Sequence, residues 1–214
     1  MKKILSIFVS AILLVSCFVI PVSANENTGA NTTGTIDLKN IDEENPNVSV
    51  SEPMTFNEMV THYAKTAGIS YEEALAAFPK ENTVSTRTPS HRILSVTLDV
   101  TGSYKPYIDF YCNTSEGGHF WGITSIYSVQ LVRNYGNISK QFTGTLDVWL
   151  RSGYQIEYII NGDFYNNGTT SVSGGTGLNI GVGSSAQVAF QASLSHSSNH
   201  YKYFYYSEIA AFQS

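Results

Sequence analysis

Between Thr170 and Leu194, apolar and polar residues alternate with a period of two. Val172, Leu178, Ile180, Val182, Ala186, Val188, Phe190, Ala192 and Leu194 hold one parity. Small uncharged residues such as Ser171, Ser173, Asn179, Ser185, Gln187 and Gln191 hold the other. Successive side chains of an extended chain point to opposite faces, so this pattern predicts strands with one apolar and one small polar face. The whole stretch from Phe164 to Tyr201 also lacks Asp, Glu, Lys and Arg.

The same period recurs upstream. Leu94, Val96, Leu98 and Val100 alternate with Ser95, Thr97, Asp99 and Thr101 and predict a strand ending at Gly102. Further strands are predicted over Pro106 to Cys112, Phe120 to Asn134, Gln141 to Leu150 and Tyr154 to Ile160. Gly117-Gly118, Asn161-Gly162, Asn167-Gly168 and Gly183-Ser184-Ser185 read as turns between them. About eight to ten short strands within residues 92–214 predict a mainly β domain, an antiparallel β-sandwich or a partly closed barrel. Twelve of the 14 tyrosines and both tryptophans lie there, so aromatic burial is expected to fill its core.

Helical spacing is found in one block, residues 54–79. Thr55-Phe56-Asn57-Glu58 has the form of a capping box, Phe56, Met59, Val60, Tyr63 and Ala64 follow at helical spacing, and Gly68 is the stop. Ser70-Tyr71-Glu72-Glu73 repeats the start signal, and Pro79 limits the second helix to about two turns. Such a helical hairpin is too short to stand alone and is expected to cap the β domain. Residues 80–91, with Asn82, Ser85, Thr86, Thr88 and Pro89, read as a linker.

The N-terminus changes the expected location. Met1-Lys2-Lys3 is a basic tip, followed by 17 residues without a charge from Ile4 to Ile20, then Pro21 and Val22-Ser23-Ala24. That order predicts a secretory signal peptide over residues 1–24 and a secreted bacterial protein beginning at Asn25. An alternative is lipid anchoring at the cell surface, because Leu14-Val15-Ser16-Cys17 has the form of a bacterial lipobox with Cys17 as the modified residue. Residues 25–53 are rich in Asn, Thr, Gly and Ser around Asp42-Glu43-Glu44 and read as a disordered acidic arm or a pro-segment.

With cleavage at Ala24, Cys112 is the remaining cysteine and no intrachain disulfide forms, so the core must carry stability. Loss of Lys2 and Lys3 leaves ten basic residues against 17 acids, a net charge of −7. A nucleic-acid partner is not expected, because phosphate contacts need a basic face.

Candidate chemistry is sparse. A three-residue loop at Arg151-Ser152-Gly153 would pair Leu150 with Tyr154, Val148 with Ile156 and Leu146 with Tyr158. It would set Asp147 opposite Glu157 and Trp149 opposite Gln155 on the polar face. These four residues are the candidate ligand-binding face. Two facing carboxylates call for compensation, by Ca²⁺, by a sugar hydroxyl network with Trp149 as stacking platform, or by Arg151, Lys140 or a neighbouring strand. The expected partner is an extracellular glycan, another cell-surface component or a protein, and no catalytic residue is assigned. A small glycoside hydrolase is a weaker alternative, since its two carboxyls would point out from a small sheet rather than into a cleft.

Other groups have blander readings. Cys112 reads as a small buried hydrophobe rather than a nucleophile served by His119, and His196 with His200 lacks an acidic or cysteine ligand for a metal. The charge-free strands within residues 169–195 carry a different alternative, a membrane-active or pore-forming protein. Leu178, Ile180, Val182, Val188, Phe190 and Leu194 would then meet lipid, with the small polar face lining the pore.

Overall fold

The computed structural model describes residues 35–37, 47–79, 90–117, 120–173, 177–193 and 199–211. The expected signal segment, Cys17, His119, Leu194 and His196 lie outside them. In chain order the elements are β1 (Thr35–Asp37), β2 (Val48–Val50), α1 (Phe56–Ala67), α2 (Tyr71–Leu75), β3 (Ser90–Thr97), β4 (Tyr107–Gly117) and β5 (Phe120–Val132). There follow β6 (Asn134–Tyr135), β7 (Ile138–Ser139), β8 (Gln141–Ser152), β9 (Gln155–Tyr165), β10 (Thr169–Ser173), β11 (Ile180–Gly181), β12 (Ser184–Ser193) and β13 (His200–Ala211).

The strands form a six-stranded sheet, β1-β13-β9-β8-β12-β10, and a five-stranded sheet, β11-β5-β4-β3-β2, with a small β6-β7 ribbon. All pairings are antiparallel except β1 with β13. The two large sheets pack face to face and neither closes into a barrel, so the protein is a mainly β sandwich. Alternation explains the shared core. Leu94, Val96, Ile108 and Phe110 from one sheet meet Leu146, Val148, Ile156, Tyr158, Ile160 and Val188 from the other. The rings of Phe110 and Tyr158 lie 5.6 Å apart.

Ile93 and Tyr111 have the opposite parity to Leu94 and Phe110 and are also buried. They pack against Met59, Val60, Ala64 and Phe78 of the helical block, which makes the helices a third layer on the outer face of the five-stranded sheet. Burial on both faces accounts for the nearly unbroken apolar run Ile108-Asp109-Phe110-Tyr111-Cys112 in β4. Full burial of Met59, Val60 and Phe78 is worth roughly 1.5–3 kcal/mol each.

Both capping boxes form. The Thr55 hydroxyl accepts from the Glu58 N–H at 3.3 Å while Glu58 accepts from the Thr55 N–H at 2.8 Å, and Ser70 with Glu73 repeats the arrangement. Gly68 ends α1 in the left-handed region at φ 70°. Thr55→Ala is expected to cost about 1 kcal/mol and to lower the melting temperature by about 2–4 °C, with Thr55→Ser close to wild type. A thermal melt in which Thr55→Ala and wild type coincide would remove the cap from the stability of this layer.

Three expectations need correction. The stretch assigned to a disordered arm contains β1 and β2. Val48 and Val50 are a short alternation inside a polar composition, and β2 occupies the free edge of β3 with Val48 opposite Val96. Ser90 and His91, assigned to the linker, begin β3, and His91 is buried beneath Phe56 and Tyr127. Asn161-Gly162 is not a turn: β9 runs through it, and Gly162 lies opposite Gly144 where the two backbones need the room of a missing Cβ.

The charge-free stretch is divided between the two sheets. β10 and β12 pair with each other in the six-stranded sheet, whereas β11 pairs with β5 in the other sheet. Asn167-Gly168 does turn the chain, between β9 and β10.

Candidate functional site

The β8-β9 hairpin sets which side chains share the outer face of the six-stranded sheet. Its register differs from the expected one. Ser152 pairs with Gln155 across a two-residue loop, Gly153-Tyr154, and the register shifts between Leu150 and Ser152 so that Arg151 is an extra residue. The bulge restores the parity that a plain two-residue loop would break, placing Leu150 opposite Ile156, Val148 opposite Tyr158 and Leu146 opposite Ile160, all inward.

Consequently Asp147 faces Ile159, Trp149 faces Glu157, and the expected pairs Asp147 with Glu157 and Trp149 with Gln155 are not formed. Gln155 sits at the loop end of β9, opposite Ala211 of β13. The carboxylates have separate partners. Gln187 of β12 donates from Nε2 to Asp147 at 2.6 Å, and Arg151 donates from Nε to Glu157 at 2.6 Å while its guanidinium lies 5.4 Å from the Trp149 ring. The head-on carboxylate contact that called for Ca²⁺ is therefore absent from this hairpin. Among the described residues no three of His, Cys, Asp and Glu come together as a metal-ligand group.

β13 extends the same face. Tyr203 lies opposite Asp163 and Tyr205 opposite Asn161, with exposures of 53% and 52%. The Tyr203 hydroxyl donates to Asn161 Oδ1 at 2.9 Å, and Asp163 pairs with His200 at 2.8 Å. Tyr201, two residues before Tyr203, instead packs toward Tyr104 in the core at 5.8 Å between rings, because the register shifts between His200 and Lys202. This bulge hid the pair from pattern reading. In the run Tyr201-Lys202-Tyr203-Phe204-Tyr205-Tyr206, alternation alone cannot choose the outward tyrosines, and strand pairing does.

The outer face thus runs from Gln187 through Asp147 and Trp149 to Glu157, Asn161 and the exposed Tyr203 and Tyr205. It offers aromatic ring faces beside amide and carboxylate acceptors and the Arg151 donor. Such a surface can stack against flat apolar ring faces and hydrogen-bond to hydroxyl groups.

A second polar cluster lies between α1 and the five-stranded sheet. The fully buried Asp109 accepts from Ser95 Oγ at 2.5 Å and lies 3.4 Å from Tyr111 Oη, which donates to Gln130 Oε1 at 2.8 Å, and Thr66 donates to the same oxygen at 2.7 Å. Burial raises the Asp109 pKa against the hydrogen bonds that lower it. His62 Nδ1 stands 3.3 Å from Tyr111 Oη. The network ties α1 to the sheet.

Cys112 is buried, its thiol directed at the Phe110 carbonyl at 3.5 Å and its pKa pushed up by desolvation. Of the residues expected to meet lipid, Ile180, Val188 and Phe190 are buried, Leu178 is half-buried and Val182 is exposed. No helix among the described residues is long and apolar enough to cross a membrane.

Fold and face together define a class: a two-sheet β-sandwich with a helical cap and an aromatic-polar face on its uncapped sheet. No protein-family model, curated protein or solved structure matches the chain.

Proposed function

We propose that the protein is an exported, non-catalytic binding module whose outer six-stranded face recognises an extracellular glycan. One observation carries the reading: Tyr203 and Tyr205, each more than half exposed, stand two residues apart on the outer face of β13, opposite Asp163 and Asn161. Two large rings left in water on a β-face are costly without a ligand, and sugar rings present the apolar CH faces and hydroxyl edges that fit tyrosine, amide and carboxylate groups. Trp149, with Arg151 over its ring, lies farther along the same face opposite Glu157 and offers a second aromatic contact. The signal-like N-terminus and the net negative charge support an extracellular, non-nucleic-acid partner.

Glycan-array screening followed by calorimetry on the best hit is the test. Tyr203→Ala and Tyr205→Ala are each expected to weaken binding at least about tenfold, on the order of 1.4 kcal/mol. Their melting temperatures should stay near wild type, since exposed substitutions usually change stability by about 0.5 kcal/mol or less. Absence of any glycan response from wild type, or equal binding by both variants, would defeat the proposal. Dye release from liposomes by wild type would instead favour the membrane-active alternative.

A further inference from the structure

A cavity of about 330 Å³ opens where the C-terminal half of α1 meets the end of β5 and the edge strand β10. It lies on the inner-face parity of the six-stranded sheet, shared by Thr170, Val172 and Phe190, and so on the side away from Tyr203 and Tyr205. Its walls include the buried Val129 and Phe190 and, at the rim, Ile69 and Val172, which are 40% and 50% exposed. Exposed large aliphatics beside a cavity extend its apolar lining to solvent and leave it suited to an apolar tail.

Among the described residues, Arg133 is the charged residue that lines this cavity. Its Nη1 lies 3.0 Å from the Lys140 carbonyl, 2.6 Å from Gln141 Oε1 and 3.0 Å from Thr170 Oγ1, three neutral acceptors that share its two N–H groups. Among the described residues no carboxylate lies within 4 Å of it. A half-buried guanidinium held by neutral groups alone retains its full charge beside a desolvated space, and burial works against that charge. An anion entering the cavity offsets that cost, and planar carboxylates suit the guanidinium fork.

We propose that this cavity binds a small amphiphilic carboxylate, its head at Arg133 beside Thr170 and its tail against Val129, Phe190, Val172 and Ile69. At about 30 Å³ per water, the space corresponds to roughly eleven water-sized groups, which matches a ligand of about ten non-hydrogen atoms. Octanoate has that size and chemistry. The site is separate from the aromatic face and stands or falls independently of the glycan reading.

The test is a titration of the full chain with sodium octanoate, followed by calorimetry and by amide chemical shifts. 1-Octanol and octylammonium of the same tail length serve as matched arms. Octanoate is expected to bind at one site and to shift the amides of Gln130 and Thr170. Octanol should bind at least about tenfold more weakly and octylammonium not at all. Arg133→Gln should abolish octanoate binding. Because Arg133 also links β5 to β8 and β10, Val172→Glu at the exposed rim is the second variant, expected to weaken octanoate at least about tenfold in a chain that melts like wild type. Equal binding of octanoate and octanol, no heat or shift at millimolar octanoate, or unchanged octanoate affinity in folded Val172→Glu would each overturn the proposal.

Discussion

Gly162→Ala is expected to be among the most destabilising single-methyl changes in this protein. A Cβ at Gly162 would lie 2.2 Å from the Thr143 carbonyl oxygen, 2.6 Å from the Phe142 ring and 2.8 Å from Gly144 Cα. One at Gly144 would lie 2.1 Å from the Asn161 carbonyl oxygen. Two of the obstructing groups at Gly162 are backbone in the centre of the six-stranded sheet, and the third is a ring wedged 4.8 Å from Phe164 and 5.5 Å from Phe190. No flexible side-chain end is available to give way. Relief requires parting β8 from β9 or moving the Phe142 cluster, and overpacking of this kind costs about 3 kcal/mol. The melting temperature should fall by about 6–12 °C. Gly102→Ala, where an added Cβ meets nothing within 4 Å, is the matched control. A Gly162→Ala protein melting together with that control would contradict the steric cost assigned to the approach of β8 and β9.

The second large effect concerns pH. Glu208 is 3% exposed, on the inward parity of β13, and accepts a hydrogen bond from Tyr158 Oη at 2.5 Å. Desolvation raises its pKa above the ordinary 4.5, with the bonds from Tyr158 and Tyr206 acting the other way, and desolvation likewise raises Asp109 above 3.8. For an acid whose folded pKa is raised, the stabilising contribution is fully present below the unfolded value and is lost as pH rises through the folded value. Glu58, Glu73 and Glu116 have the opposite sign. Hydrogen bonds from Thr55, Ser70 and Arg92 hold them below 4.5, so their contribution is present above that value and lost as pH falls through their folded values.

The two groups meet near pH 4.5, and stability is expected to peak in the mildly acidic range rather than at neutrality. Scanning calorimetry from pH 8 to pH 3 should show the melting temperature rise toward about pH 4.5–5 and then decline. Glu208→Gln and Asp109→Asn should flatten the limb above the peak and leave the acid limb in place. A wild-type melting temperature that drops steadily between pH 8 and pH 5 would contradict this account of the two buried carboxyls.

Both effects arise from groups whose significance is invisible along the chain. Asn161-Gly162 carries the local chemistry of a hairpin turn, and only its position opposite Gly144 makes it a point of strand contact. Glu208 follows the aromatic run of β13 as an ordinary acidic residue, and it becomes buried because the bulge at His200/Lys202 resets which parity faces inward. The same bulge brings Tyr203 and Tyr205 to the outer face. At the other hairpin, Arg151 as an extra residue moves Asp147 away from Glu157 and toward Gln187. The candidate face was therefore legible on β8 and β9 as a region but not in its pairing, and its most exposed rings on β13 were not legible at all.

What the sequence by itself determined is what depends on near neighbours. Period-two alternation set the cores of β3, β8 and β9 and their apolar faces, and two capping boxes with Gly68 between them set the helical layer. These follow from the geometry of a single strand or helix turn, in which residues two or four apart are already placed. What only the tertiary structure decided is register. A single bulge leaves the hydrophobic pattern readable yet shifts every cross-strand partner beyond it, and partners far apart in sequence decide which tyrosines face water, which glutamate is buried and where Arg133 meets Thr170.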